Sequence, residues 1–132
     1  MNDQFVDLNI ARKLKELGFD DGCFKYIHDA PDFYQYKFSD NFKKCNNSEL
    51  ASKIHHGYIT LPTWQQLKKW LWDKHRIWAW AEHWHPDGFI WLWKEGRSEV
   101  NMNHKEKFDI PYMAEIEGIK QAVEFLHKQI NK

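Results

Sequence analysis

Apolar residues recur at helical spacing in three segments of the chain, and each segment carries helix-terminus residues. The first spans residues 7–17, opens on Asp7 as a capping residue and stops at Gly18. The second follows Pro62, and the third starts at Pro111, where a proline is tolerated in a first helical turn. The apolar positions are Val6, Ile10, Leu14 and Leu17, then Trp64, Leu67, Trp70 and Leu71, then Ile116, Ile119, Val123, Leu126 and Ile130.

Two pairs of aromatic and β-branched runs lie between these helices and predict β-hairpins. Residues 24–27 and 33–38 flank a polar turn, and residues 77–85 and 89–95 flank Pro86-Asp87-Gly88. Proline, aspartate and glycine in that order favour a type I turn closed by a left-handed glycine. The polar stretches 39–57 and 96–109 are predicted to be loops.

The predicted order is therefore α-ββ-α-ββ-α. Hairpins that alternate with helices favour an α+β fold, in which antiparallel β-hairpins form a sheet packed by helices. The 132 residues correspond to one domain, so a single α+β domain over 1–132 is expected.

The composition is unusually rich in aromatic residues. Eight of the 132 residues are tryptophan, and five of these lie between Trp78 and Trp93. Formal net charge is zero, no long apolar run suggests a membrane span, and the start of the chain lacks the pattern of a signal peptide. Cys23 and Cys45 match no metal or redox motif and are interpreted as unpaired thiols. A cytoplasmic protein is expected.

Several short motifs stand out: the helix end Lys-Glu-Leu-Gly-Phe-Asp at 15–20, the stretch 59–63 leading to 69–71, and the closing segment 112–115 followed by Gly118. Together they resemble a family of small uncharacterised proteins of gut bacteria and their phages and prophages. The resemblance implies an architecture and a mobile-element context. It implies no catalytic residue, because the family has no known activity.

The second hairpin carries the main binding hypothesis, because strand alternation gives it two aromatic faces when His85 lies opposite Phe89. Only one face can form the main core against helices, so an uncovered second face would be an interaction site. Three alternatives are open for this face: cover within the chain by the 96–109 connection or the first helix, a second copy of the chain, or a foreign partner. Both faces belong to this second hairpin. The one here called the first hairpin face contains Trp78, Trp80, Glu82, Trp84, Ile90 and Leu92, and the one here called the second hairpin face contains Ala79, Ala81, His83, His85, Phe89, Trp91 and Trp93.

The sequence gives little support for any known class of enzyme. The glycines form no nucleotide-binding motif, and no serine stands in a nucleophile elbow. His83 and His85 point the same way on a strand, which is a spacing that metal sites use, but a third ligand from His55, His56 or His75 would be required. A metal-dependent enzyme is therefore the least favoured hypothesis, and no cofactor or metal is predicted.

A basic segment supports a nucleic-acid alternative. Residues 37–76 carry eight Lys and Arg against three Asp and Glu, among aromatic residues, as binding to a single strand requires. The candidate contacts are Lys43, Lys44, Lys68 and Lys69, although a solvated helix face explains the same lysines. The favoured hypothesis is a non-enzymatic binding module that holds another protein or its own copy through Phe89, Trp91, Trp93, His83 and His85.

Overall fold

Helices and strands alternate along the chain in the predicted order of helix, strands, helix, strands, helix, which confirms the α+β class. The computed structural model describes residues 4–23, 25–28, 36–38, 46–48, 58–84 and 86–131. None of the helices in these ranges combines the length and apolar character needed to cross a membrane. The elements are α1 (Leu8–Glu16), β1 (Lys25–His28), β2 (Tyr36–Phe38), β3 (Tyr58–Thr60), α2 (Trp64–His75), β4 (Ile77–Trp84), β5 (Gly88–Glu95), β6 (Asn101–Met102) and α3 (Pro111–Ile130).

These elements form two compact units, Met1–Thr63 and Trp64–Lys132. In the first unit, α1 has the predicted termini. The Asp7 carboxylate accepts a hydrogen bond from the Ile10 amide at 2.9 Å, and the Phe19 amide donates to the Leu14 carbonyl at 2.9 Å across Gly18, whose φ is 85°. This is the Schellman arrangement that the sequence indicates. The prediction of a single domain over the whole chain stays a prediction.

The sheet of the first unit has the order β2-β1-β3 and is antiparallel. It contains the predicted hairpin strands and a third strand, β3, which the sequence does not reveal. Nearby, the buried Asn47 side chain donates to the Phe19 carbonyl at 2.9 Å and accepts from the Thr60 amide at 3.0 Å. Its amide therefore supplies hydrogen-bond partners to backbone groups of two buried residues, Phe19 and Thr60. Most of the predicted 39–57 loop lies outside the described residues.

The sheet of the second unit has the order β4-β5-β6, also antiparallel. His83, not His85, lies opposite Phe89, so the predicted register is wrong by two residues. The cause is the turn, in which the Asp87 amide donates to the Trp84 carbonyl at 2.9 Å and Trp84 pairs with Gly88. A shift of two residues preserves the predicted faces, because side chains alternate with a period of two. Strand β6 lies in the predicted 96–109 loop.

Helix α3 packs on β4 and β5. Gly118 permits a close approach, because a Cβ atom there would lie 3.2 Å from the Leu92 carbonyl oxygen and 3.3 Å from the Trp91 Cβ. The predicted apolar stripe of α3 is buried except for Ile130, which is exposed in the last turn and therefore does not belong to the core.

Candidate functional site

Trp91 and Trp93, the central residues of the binding hypothesis, lie in the core. Only 8 % and 6 % of their surfaces are exposed. The Trp93 ring lies 4.9 Å from the Phe125 ring of α3, and the Trp91 indole N–H donates to the Glu106 carboxylate at 3.3 Å. The part of the second hairpin face at Trp91 and Trp93 is thus covered within the second unit, by α3 and by Glu106 of the 96–109 connection. These two tryptophans are not the exposed anchors that the hypothesis required.

The other residues of that hypothesis are more accessible. Phe89 is half-buried and exchanges two backbone hydrogen bonds with Phe108, of 2.8 and 2.9 Å. His83 is exposed, with its ring 5.1 Å from that of Phe89, and His85 lies outside the described residues. Across the ranges that the structure describes, no three His, Cys, Asp or Glu side chains are grouped to hold a metal ion.

Exposed tryptophans occur elsewhere, where α2 meets β4. Trp72 is 41 % exposed and Trp78 is 44 % exposed, and their rings meet edge to face at 6.1 Å. Trp72 lies outside because Trp70 and Leu71 occupy the buried side of α2. Trp78 points outward because its neighbours on β4, Ile77 and Ala79, point inward. Two large rings therefore remain at the surface side by side.

These rings line a cleft of about 380 Å³, here called the outer cleft. A smaller depression of about 220 Å³ shares Trp72 and Trp78 with it and brings in Lys68 and Lys69, two candidate nucleic-acid contacts. The other two candidates, Lys43 and Lys44, lie outside the described residues. The outer cleft is lined by Trp72, Arg76, Trp78, Trp80, Lys94 and Gly96.

The cations around the tryptophans differ in how their charge is balanced. Lys68 lies 4.4 Å from the Trp78 ring centroid but also forms an ion pair of 3.0 Å with Glu115. Lys69 is paired with Asp73 one turn along α2. Arg76 lies 5.0 Å from the Trp72 ring centroid, and neither it nor Lys94 pairs with a carboxylate in the described parts of the chain. The outer cleft therefore carries uncompensated positive charge.

Arg76 has an unusual backbone conformation. Its φ is 54°, in the left-handed region that favours glycine. The position follows the end of α2, where the Arg76 amide donates to the Trp72 carbonyl at 3.0 Å and its own carbonyl accepts from Gly96 at 2.9 Å. A glycine would satisfy the same geometry without steric cost. The arginine side chain is thus kept at the cleft at the expense of backbone strain.

His75 precedes the cleft residue Arg76 in the chain and lies next to the core. Its ring lies 4.8 Å from that of Trp70, edge to face. Burial lowers the pKa of His75 below its ordinary value, and the Glu95 carboxylate partly opposes this effect. The neutral imidazole is therefore the form that the folded chain favours, which suits a packing role beside the core.

In comparisons with family models, curated proteins and solved structures, nothing matches this chain. Sequence reasoning placed Trp78 and Trp80 on the first hairpin face but assigned the binding role to the second. The sequence signal for the outer cleft was the closeness of Trp72, Arg76 and Trp78 along the chain. A basic residue separates the two tryptophans, so they need not both lie in the core.

Proposed function

We propose that this chain is a non-enzymatic binding module and that the outer cleft is its binding site. The observation that carries the proposal is the pair of exposed tryptophans, Trp72 and Trp78, beside the uncompensated cations Arg76 and Lys94. Tryptophan and arginine dominate binding surfaces, because each buries a large flat area on contact. Apart from the Lys94 amine, the six lining residues include no general acid, general base or nucleophile, which favours binding over acid–base or nucleophilic catalysis.

The proposal keeps the Trp-rich hairpin as the binding element but moves the site to its other face. A protein or a second copy that docks on Phe89, Trp91 and Trp93 is less well supported, because α3 already covers the two tryptophans. We also propose a cytoplasmic location, where a buried cysteine thiol such as Cys23 stays reduced. A phage or prophage origin stays an implication of the sequence resemblance.

The test compares three probes of different chemistry against the full chain. A fluorescein-labelled oligothymidylate and a labelled peptide of alternating Glu and Phe are titrated by fluorescence anisotropy, and self-association is followed by light scattering. We expect at least one probe to bind in the parent. The double variant Trp72→Ala with Trp78→Ala should lose that binding.

The matched control is Trp84→Ala. Trp84 is 43 % exposed on the same strand and the same hairpin face as Trp78, but it does not line the outer cleft. It should bind as the parent does. If no probe binds, or if the double variant binds as well as the parent, the proposal is wrong.

A further inference from the structure

We infer that the outer cleft takes a single strand of nucleic acid, with a base against the tryptophan rings and neighbouring phosphates on Arg76 and Lys94. The inference rests on the proposed function, since it names the ligand of the same cleft. Its first support is charge. Two cations line the cleft without a carboxylate partner in the described parts of the chain, so an anionic ligand gains their full attraction.

The second support is the flat aromatic surface that lies beside these cations. Trp72 and Trp78 expose indole surface within a few ångströms of the cationic groups. Single strands present a flat base and a phosphate in every repeat, and proteins bind them with this combination of aromatic platforms and basic residues. An acidic peptide satisfies the cations but brings a flat group only where its sequence contains an aromatic residue.

The size of the site sets the number of contacts. The cleft of about 380 Å³ is near the lower end of the roughly 300–1,000 Å³ of small-ligand pockets, and it is open to solvent. It therefore accommodates one or two nucleotides of a longer strand. Of the four cations that line the outer cleft and the smaller depression, Lys68 and Lys69 are already paired with Glu115 and Asp73, which leaves Arg76 and Lys94 to release counterions from phosphates. Two such contacts predict a slope of about −1.4 for log K against log salt.

The conformation of Arg76 supplies the third support. A non-glycine residue with φ of 54° is uncommon, and strained residues of this kind cluster at binding sites. Arginine also matches phosphate with two parallel hydrogen bonds, which no other side chain does in the same way. An arginine at a position suited to glycine is explained by a ligand that binds its guanidinium.

The experiment is an anisotropy titration of the labelled oligothymidylate with the full chain at several salt concentrations. We expect Trp78→Ala, Arg76→Gly and Lys94→Gln each to raise the dissociation constant about tenfold or more, and the two charge changes to make the salt slope shallower. Arg76→Gly should not lower the melting temperature, because glycine fits the left-handed conformation. A weaker affinity then reports the lost guanidinium and not a damaged fold.

The matched controls are Trp84→Ala for the ring and Lys128→Gln, an exposed lysine in the last turn of α3, for the charge. Both should bind as the parent does. The inference is overturned if the oligothymidylate does not bind, or if the cleft variants and the controls bind equally. If the Glu-Phe peptide binds in its place and depends on Trp72 and Trp78, the inference fails while the proposed function stands.

Discussion

Two pairs of tryptophans in the second unit have similar sequence surroundings and opposite environments. Trp91 and Trp93 alternate along β5 and are buried under α3, whereas Trp72 and Trp78 stand on either side of the α2–β4 junction and expose more than two fifths of their surface. The difference lies in what packs on them. A central strand is covered on both faces at 90–93, while β4 lies at the end of the β4-β5-β6 order and points Trp78 outward.

Tryptophan density alone therefore does not indicate which rings lie at the surface. The five tryptophans within Trp78 to Trp93 lie in two environments, because one face of the hairpin meets a helix and part of the other does not. The charged groups near each pair of tryptophans distinguish the two environments better than the number of aromatic rings does. The exposed pair has cations over its rings, and the buried pair contacts Phe125 and the Glu106 carboxylate.

The largest effect should come from Trp93→Ala. Removal of a buried indole that packs on Phe125 is expected to lower the free energy of unfolding by about 3–5 kcal/mol, because a cavity remains where the ring was. Urea unfolding followed by circular dichroism measures it. Trp84→Ala, which removes an exposed ring stacked on His104, should lower it by about 1 kcal/mol or less. Equal losses in the two variants would abolish the distinction between core and surface tryptophans.

Local sequence patterns predicted much of this arrangement. The helices, the hairpins and both hairpin faces follow from periodicity, and the termini of α1 follow from Asp7 and Gly18. Strands β3 and β6 did not follow, because runs of three and two residues show no alternation and form through backbone pairing with β1 and β5. The register error arose because the hydrogen bond from Asp87 to Trp84 sets the turn.

The candidate site was predictable only in part, because its decisive contacts are long-range. The pairing of Lys69 with Asp73 follows from a separation of four residues on one helix. The pairing of Lys68 with Glu115 joins residues 47 apart and has no local signal. Which hairpin face is covered depends on where α3 docks, and the sequence showed only that α3 has an apolar stripe.

A second prediction tests the close approach that buries Trp91. Gly118→Val should lower the free energy of unfolding by about 1–3 kcal/mol, because the added atoms meet the Leu92 carbonyl oxygen and the Trp91 Cβ. Gly118→Ala should cost less, since alanine gains up to about 1 kcal/mol in helix propensity over glycine. Gln129→Val, on the exposed last turn of α3, controls for the effect of valine in a helix. If Gly118→Val costs no more than this control, α3 does not hold Trp91 as closely as described.

The smallest effect concerns His75, which touches the buried Trp70 two residues before the exposed Trp72. Because burial lowers the pKa of His75 in the folded chain, the unfolded chain binds more protons near pH 6. Stability should therefore fall as the pH is lowered from about 7.5 to 5.5, around the ordinary histidine pKa of about 6.5. His75→Gln should flatten this slope in urea titrations. Glu95→Gln should steepen it, because the carboxylate that opposes the effect of burial is removed. If His75→Gln leaves the dependence of stability on pH unchanged, or if Glu95→Gln makes it flatter, then His75 is solvated in the folded chain and the core ends at Trp70.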